Sequence, residues 1–198
     1  MKKRTTAGKE KTRRQLEQTI AAYQKLAEED WLTGLYNGRA MEEKVGEYLK
    51  RNRTGSMILM DIDQFKRIND TYGHIIGDQL LQDIASVLTK MFPSGCLIGR
   101  CGGDEFVIFM PHTLEEEEIQ RRCRQIRERF MRVEVNGTTI IRLSMTICGG
   151  SYHPGFGYKD LFDLADQKIV KEKRSRSGEN LERAAVADVN GDEIRIDM

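Results

Sequence analysis

The chain has 198 residues, of which 32% are charged and 39% hydrophobic, and its formal net charge is +1. This is the balance of a soluble globular protein with a charged helical part, long enough for one domain of ordinary size plus an extension. The near-neutral charge argues neither for nor against nucleic acid, no stretch approaches the length of a membrane span, and the N-terminus lacks the apolar core of a signal peptide.

The basic residues are not spread evenly. Met1 to Arg14 carries Lys2, Lys3, Arg4, Lys9, Lys11, Arg13 and Arg14 against the single acid Glu10. It reads as a solvated basic tail or as a segment loosely attracted to an acidic membrane surface. It holds no groove-reading motif, so DNA binding is not expected. Glu10 to Asp30 has no Pro or Gly and predicts a helix. Leu16, Ile20, Tyr23 and Ala27 form a stripe on it at spacings of four, three and four. Such a stripe suits a short coiled coil or a helix lying on its own domain.

Ala40 to Arg51 predicts an amphipathic helix, and Gly55 marks the turn into the first central strand. Residues 57–63 read MILMDID, an apolar run ending in Asp61 and Asp63 at i and i+2. A buried strand delivers both carboxylates to one face at its end. Unpaired buried charge is expensive, and a divalent cation would satisfy the pair. Mg²⁺ in particular is held by a few carboxylates together with substrate phosphates. Gln64 to Asp70 then predicts a short helix. His74 to Phe92 predicts a longer one with Leu80, Leu81, Ile84, Val87 and Leu88 on its apolar side, broken by Pro93, Ser94 and Gly95.

Cys96 to Arg100 predicts a strand paired through a tight turn with Phe106 to Met110. The stretch RCGGDEFVIFM at 100–110 puts two glycines and two carboxylates at that turn. Gly102 and Gly103 permit a tight turn and close approach of a ligand. Asp104 and Glu105 are expected on opposite faces. Taken alone the turn could be a plain hairpin with solvated acids; the second acidic cluster at 61–63 favours a site. Leu114 to Met131 predicts a charged helix whose early acids and late bases suit the helix dipole, with a solvated outer face. Val133 to Val135 and Thr139 to Ile147 flank Asn136-Gly137 and predict a hairpin. Tyr158 to Lys173 predicts the last helix of the core. Gly178 to Met198 predicts a tail or an edge hairpin around Asn190-Gly191, with Glu193 to Asp197 as its strand. DVNGDE at 188–193 does not make a calcium loop, because its glycine comes too early and the chain ends before a twelfth ligand.

The order strand, two helices, hairpin, helix, hairpin, helix fits an α/β (α+β) domain with a central mixed, mainly antiparallel sheet flanked by helices. The divisions are a basic tail and N-terminal helix at 1–29, the domain at 30–180 and a C-terminal tail or edge hairpin at 181–198. Cys96, Cys101, Cys123 and Cys148 show no paired spacing. They read as reduced thiols of a cytosolic protein, not as a zinc site or disulfide framework.

GGDEF at 102–106, with DIDQFKRINDTYGHIIGDQLL at 61–81, resembles the GGDEF domain, the diguanylate cyclase family, from about Asp30 to about Lys173. DWLTGLYNGR at 30–39 is similar to the family's opening motif, with Gly38 where the first of two arginines is usual and Arg39 in place of the second. The resemblance implies a fold like the palm of nucleotide polymerases and class III nucleotidyl cyclases, with an N-terminal signalling helix. The implied activity is condensation of two GTP into cyclic di-GMP with release of pyrophosphate, dependent on Mg²⁺ or Mn²⁺, in a homodimer with facing active sites and a possible second contact through the N-terminal helix. The usual outputs are biofilm formation and motility, and the place is the bacterial cytoplasm, at most peripheral to the membrane. The input or effector protein is not legible.

The resemblance further implies Asp61, the backbone carbonyl of Ile62 and Asp104 as metal ligands. Asp104 also helps deprotonate the attacking hydroxyl, Glu105 is the next signature acid, and Asp63 supports them. Backbone amides of Phe65 and Lys66 hold phosphates, and the Lys66 ammonium neutralises charge on the transferring group. Asn69 and Asp78 read guanine, His74 lies close to the nucleotide, and Lys173 contacts the terminal phosphates. Pro93-Ser94-Gly95-Cys96 stands where the family's inhibitory product site, Arg-x-x-Asp, would lie, so no such site is expected. The chain departs from the pattern at Cys148, where glycine is usual, and at Lys168, Val170 and Glu172 in the last helix, whose final arginine is displaced or lost. A degenerate domain that binds GTP as a non-catalytic sensor is the alternative reading, and a helix-driven dimerisation platform is a third.

Overall fold

The computed structural model describes residues 3–135 and 139–190. Helix α1 (Lys3–Glu28) leads into a short strand β1 (Tyr36–Asn37), helix α2 (Gly38–Asn52) and the central strand β2 (Ser56–Ile62). Helices α3 (Phe65–Tyr72) and α4 (His74–Met91) follow. The signature hairpin comes next, β3 (Leu97–Arg100) and β4 (Glu105–Met110), and then α5 (Glu116–Phe130). Strands β5 (Arg132–Val135), β6 (Thr139–Arg142) and β7 (Met145–Ser151) precede the last helix, α6 (Tyr158–Asn190). The main sheet has the order β1-β3-β4-β2-β7, parallel only between β1 and β3. The mixed, mainly antiparallel sheet and the succession of elements agree with the sequence expectation.

The two faces of β2 explain the layers. Ile58, Met60 and Ile62 point to one side, where Phe106 and Ile108 of β4 meet α4 and α5. Met57 and Leu59 point to the other, where Val107 and Phe109 meet Met41 and Val45 of α2 and Leu161, Ala165 and Ile169 of α6. Alternation with period two makes β2 a strand buried on both faces, which is why it reads as an unbroken apolar run. Glu105, two residues before Val107, continues the α2/α6 face, as does Asp61, two residues after Leu59.

Three expectations need correction. Thr139 to Ile147 is not one strand: it divides at Leu143-Ser144, β6 pairs with β5 in a separate two-stranded sheet, and β7 joins the main sheet beside β2. Hydrophobic pattern cannot see this, because both halves are apolar enough to be strands and only their partners differ. Residues 136–138, including the Asn136-Gly137 turn, lie outside the described residues. The basic stretch read as a tail is helical from Lys3 onward and continuous with α1. The last helix runs past Lys173 to Asn190, whereas the edge strand at 193–197 lies outside the described residues. Among the described residues no helix is long and apolar enough to cross a membrane.

Candidate active site

The register of β2 against β4 builds the site. Asp61 stands directly opposite Glu105, so two like charges share one face across the strand pair, an arrangement that costs stability unless a cation relieves it. Asp104 precedes Glu105 in the turn, and its carbonyl accepts a 3.3 Å hydrogen bond from the Ile62 N–H. The electrostatics record the crowding. Burial, then the charge of Asp61, raises Asp104 above the usual carboxylate range. Burial, then Asp61, Asp104 and Asp166, does the same to Glu105. The cation nearest at hand is Lys173 of α6, whose Nζ lies 2.6 Å from Asp61 Oδ1. A cavity of about 190 Å³ opens beside this cluster, walled by Asp61, Cys101, Glu105, Phe162, Asp166 and Lys173 among others.

Asp63 does not share that role. Its oxygens accept from Ser144 Oγ at 2.6 Å, Thr146 Oγ1 at 2.7 Å and Arg176 Nη1 at 3.2 Å. The pair at i and i+2 therefore divides its work: Asp61 faces the acidic cluster, and Asp63 ties the end of β2 to β7 and α6.

The signature glycines leave the expected room, but do so without a left-handed backbone. Neither Gly102 nor Gly103 takes the positive φ of the left-handed region. A Cβ on Gly102 would come within 2.5 Å of Glu105 Oε2, and one on Gly103 would meet open space. Their value is room, for the Glu105 carboxylate and for an approaching ligand. What holds the turn is Arg100, which the sequence reading passed over. Its Nε and Nη2 donate to the Gly103 carbonyl at 3.1 and 2.6 Å, and its Nη1 donates to Asp30 Oδ1 at 3.0 Å and Oδ2 at 3.3 Å. Both side chains of that pair are largely buried, at 12% and 16% exposure. Burial alone would raise Asp30, but hydrogen bonds from Thr33 and Arg100 outweigh it and hold the carboxyl below its ordinary value. Arginine two residues before the first glycine of a Gly-Gly-acid turn was the available signal; its partner, seventy residues away in sequence, was not.

On the far side of β2, Gln64 adopts a left-handed backbone at φ 56 and turns the chain into α3. A non-glycine residue in that region stores strain, as often happens at functional sites. The first helical bonds are donated by Arg67 and Ile68 to the Gln64 carbonyl. The amides of Phe65 and Lys66 therefore head the helix, where its dipole favours an anion. Asn69 lies on α3, with His74 and Asp78 on the first turns of the adjoining α4. Gly77 is buried against Asn69: a Cβ there would stand 1.9 Å from Asn69 Oδ1. Gly77→Ala is therefore expected to push Asn69 aside and cost about 1–3 kcal/mol. Urea unfolding of the variant beside the wild type measures the loss.

Among the described residues no three or more His, Cys, Asp and Glu converge as a ready-made metal cage. The donor set instead suits Mg²⁺, which takes one or two carboxylates and completes its shell with water and substrate phosphates. The raised Asp104 and Glu105, crowded by burial and by the charge of Asp61, are the observation that a divalent cation would answer.

Fold and signature turn together define a GGDEF domain. The chain belongs to the family described as diguanylate cyclase, GGDEF domain, whose profile matches residues 27–179. Curated relatives include the diguanylate cyclase DgcP of Pseudomonas aeruginosa, 36% identical over 155 residues, a match covering 74% of this chain and 22% of the relative. Another is the diguanylate cyclase DosC of Escherichia coli, 32% identical over 165 residues, covering 79% and 35%. The chain thus spans about a third or less of the length of these relatives. A solved structure of the coiled coil and GGDEF domain of DgcB from Caulobacter crescentus, in complex with c-di-GMP, superposes with a TM-score of 0.73 at 25% identity, over 86% of this chain and 91% of that one. The diguanylate cyclase SiaD of Pseudomonas aeruginosa, solved with its activator SiaC, gives 0.70 at 26% identity over 87% and 68%.

Proposed function

We propose that this domain is an active diguanylate cyclase, joining two GTP molecules into cyclic di-GMP and releasing two pyrophosphates. The observation that carries the reading is the grouping of Asp104, Glu105 and Asp61 at the mouth of the β2–β4 ladder, with Asp104 and Glu105 raised by burial and then by neighbouring charge, and Lys173 on Asp61. Each bond-forming step is attack of a ribose 3′-hydroxyl on an α-phosphorus. Asp61, Asp104 and the Ile62 carbonyl would hold Mg²⁺ or Mn²⁺, which lowers the hydroxyl's pKa and offsets charge on the phosphates. Asp104, already biased toward holding a proton, is suited to accept one from the hydroxyl. The amides of Phe65 and Lys66 at the head of α3 receive phosphate oxygens, and the exposed Lys66 ammonium adds charge there. Asn69 and Asp78 discriminate guanine, since a carboxylate accepts from the N1–H and exocyclic amine together and adenine offers no such pair. His74 borders the base. Lys173 transfers from Asp61 to the terminal phosphates when substrate arrives.

One site holds one GTP, so two copies must face each other for each hydroxyl to reach the other's α-phosphorus. The stripe on α1 supports pairing: its members Leu16, Ile20 and Tyr23 are 60%, 48% and 69% exposed, and Leu26 beside Ala27 is 78% exposed. A stripe of that spacing gains stability against a second copy of the same helix.

A domain that binds GTP without turnover is the second reading, favoured by the altered α6 positions Lys168, Val170 and Glu172. Incubation of the purified chain with GTP and Mg²⁺, followed by chromatography, separates the two. Cyclic di-GMP is expected, at a rate rising more steeply than linearly with protein concentration. No product at a concentration that forces dimers overturns the cyclase reading, and a GTP titration then decides whether the site binds at all.

A further inference from the structure

Two positions where the sequence departs from the family pattern, Cys148 on β7 and Glu172 on α6, meet in space. The Glu172 carboxylate accepts from Cys148 Sγ at 3.2 Å, from Arg127 Nη2 of α5 at 3.4 Å and from Arg176 Nη2 one turn along its own helix. Arg176 spends its other terminal nitrogen on Asp63, at 3.2 Å. Asp63 is pinned in turn by Ser144 and Thr146, and its N–H donates to the Ser144 carbonyl at 3.0 Å. An unbroken polar chain therefore runs from α5 through Glu172 and Arg176 to the end of β2. Lys173, three residues before Arg176 and on the same helix face, sits on Asp61.

We propose that Glu172 is a positioning residue: it seats Arg176 on Asp63 and so holds Lys173 opposite Asp61. The role assigned to Lys173 rests on the cyclase reading.

Single ion pairs at this exposure contribute little, because water screens them and the side chains lose freedom. A guanidinium forked between two carboxylates, each with further donors, is different. It bridges them with one terminal nitrogen to each, and every partner is already oriented by another. Cys148 belongs to that support: burial, then Glu172, pushes its thiol up to about 12, so it remains a proton donor to the carboxylate at neutral pH. The arrangement also separates two duties on one helix. Lys173 must change partners when a polyphosphate arrives, whereas Arg176 is held by acids that stand outside the Asp61–Asp104–Glu105 cluster. Glu172 thus keeps α6 docked while its neighbour moves.

The test measures steady-state kinetics and, separately, equilibrium binding of a GTP analogue carrying a methylene between the α- and β-phosphorus, with Mg²⁺. Glu172→Ala is expected to raise KM and weaken analogue binding about tenfold, with kcat changed less than about twofold. Arg176→Ala should match it, and the double variant should be no worse than either single, because both changes break one linkage. Glu172→Gln keeps an acceptor for Arg176 and should lose less than half as much in logarithmic terms; it is also the variant to read where Glu172→Ala fails to fold. A fall in kcat and melting temperature with KM unchanged would mean that Glu172 is only structural and would overturn the proposal, as would additive losses in the double variant. A wild type that binds the analogue but makes no product defeats the cyclase reading alone, and the binding losses still decide the role of Glu172. A wild type that binds no analogue defeats both.

Discussion

Replacing Asp104 by alanine should abolish product while making the protein harder to unfold. The loss of turnover is expected to reach about a thousandfold or more, since it removes both a proposed metal ligand and the proposed proton acceptor at the reacting hydroxyl. The gain in stability follows from the same geometry. Asp104 is raised by burial and by the charge of Asp61, so the folded state holds its proton more tightly than the unfolded chain does. The sign follows from linkage: stability from such a group is fully present below the usual carboxylate range and is lost as pH rises through the raised folded value. Glu105 adds to the effect in the same direction. At pH 7 without metal, Asp104→Ala should therefore stabilise by about 0.5–1 kcal/mol, a modest figure because the group is half-exposed and screened. Calorimetric melting at pH 5 and pH 8 checks this: the difference in stability between variant and wild type should shrink at the lower pH. Mg²⁺ with GTP should raise the wild-type melting temperature and do less for the variant, because ligand linkage requires an intact site. A variant less stable than wild type at pH 8 would show that the acids do not repel as described.

Arg100→Ala is expected to do the most damage among substitutions that touch none of the proposed ligand-binding side chains. It leaves the Asp30 carboxylate and the Gly103 carbonyl without their shared donor in a poorly hydrated position. Breaking a largely buried pair by removing one partner costs about 3 kcal/mol. The functional loss should exceed the loss of stability, because the turn carrying Asp104 is clasped by this one side chain. A fall in turnover of more than about tenfold is expected at temperatures where the variant remains folded. Arg100→Lys should not rescue it, since an ammonium presents its donors from one point, whereas Arg100 reaches the Gly103 carbonyl and the Asp30 carboxylate from separate nitrogens of a planar group. Urea unfolding and product formation, measured side by side, decide the matter. Full activity in Arg100→Lys would mean that charge alone suffices and that the fork is incidental. The same clasp joins the end of α1 to the signature turn, since Asp30 also accepts from the backbone and hydroxyl of Thr33.

Much of this protein was legible in local pattern. The unbroken apolar run that opens MILMDID identified a strand buried on both faces, because only a central strand tolerates apolar side chains on each side. The Gly-Gly-Asp-Glu turn, the amphipathic pattern of α2, the apolar side of α4 and the charge order of α5 identified the elements around the site. The family followed from residues 61–81 and 102–106 alone. These features are local: propensity, alternation and turn chemistry act over a few residues, so the chain carries them in order.

Tertiary structure decided which of those elements meet. Thr139 to Ile147 held no sign that β6 would pair with β5 and β7 with β2, because strand partners are chosen by packing across the sheet and not by composition. Asp61 and Asp63 look equivalent in sequence, yet one faces the acidic cluster and the other is tied to Ser144, Thr146 and Arg176. Cys148 and Glu172 read as separate lapses from a pattern until the packing of α6 on β7 brings them within a hydrogen bond. Asp30 read as the first residue of the opening motif and Arg100 as the head of the stretch 100–110, with nothing in the sequence to pair them. What makes them a pair is the fold that closes seventy residues of chain between them and removes the water that would otherwise keep them apart.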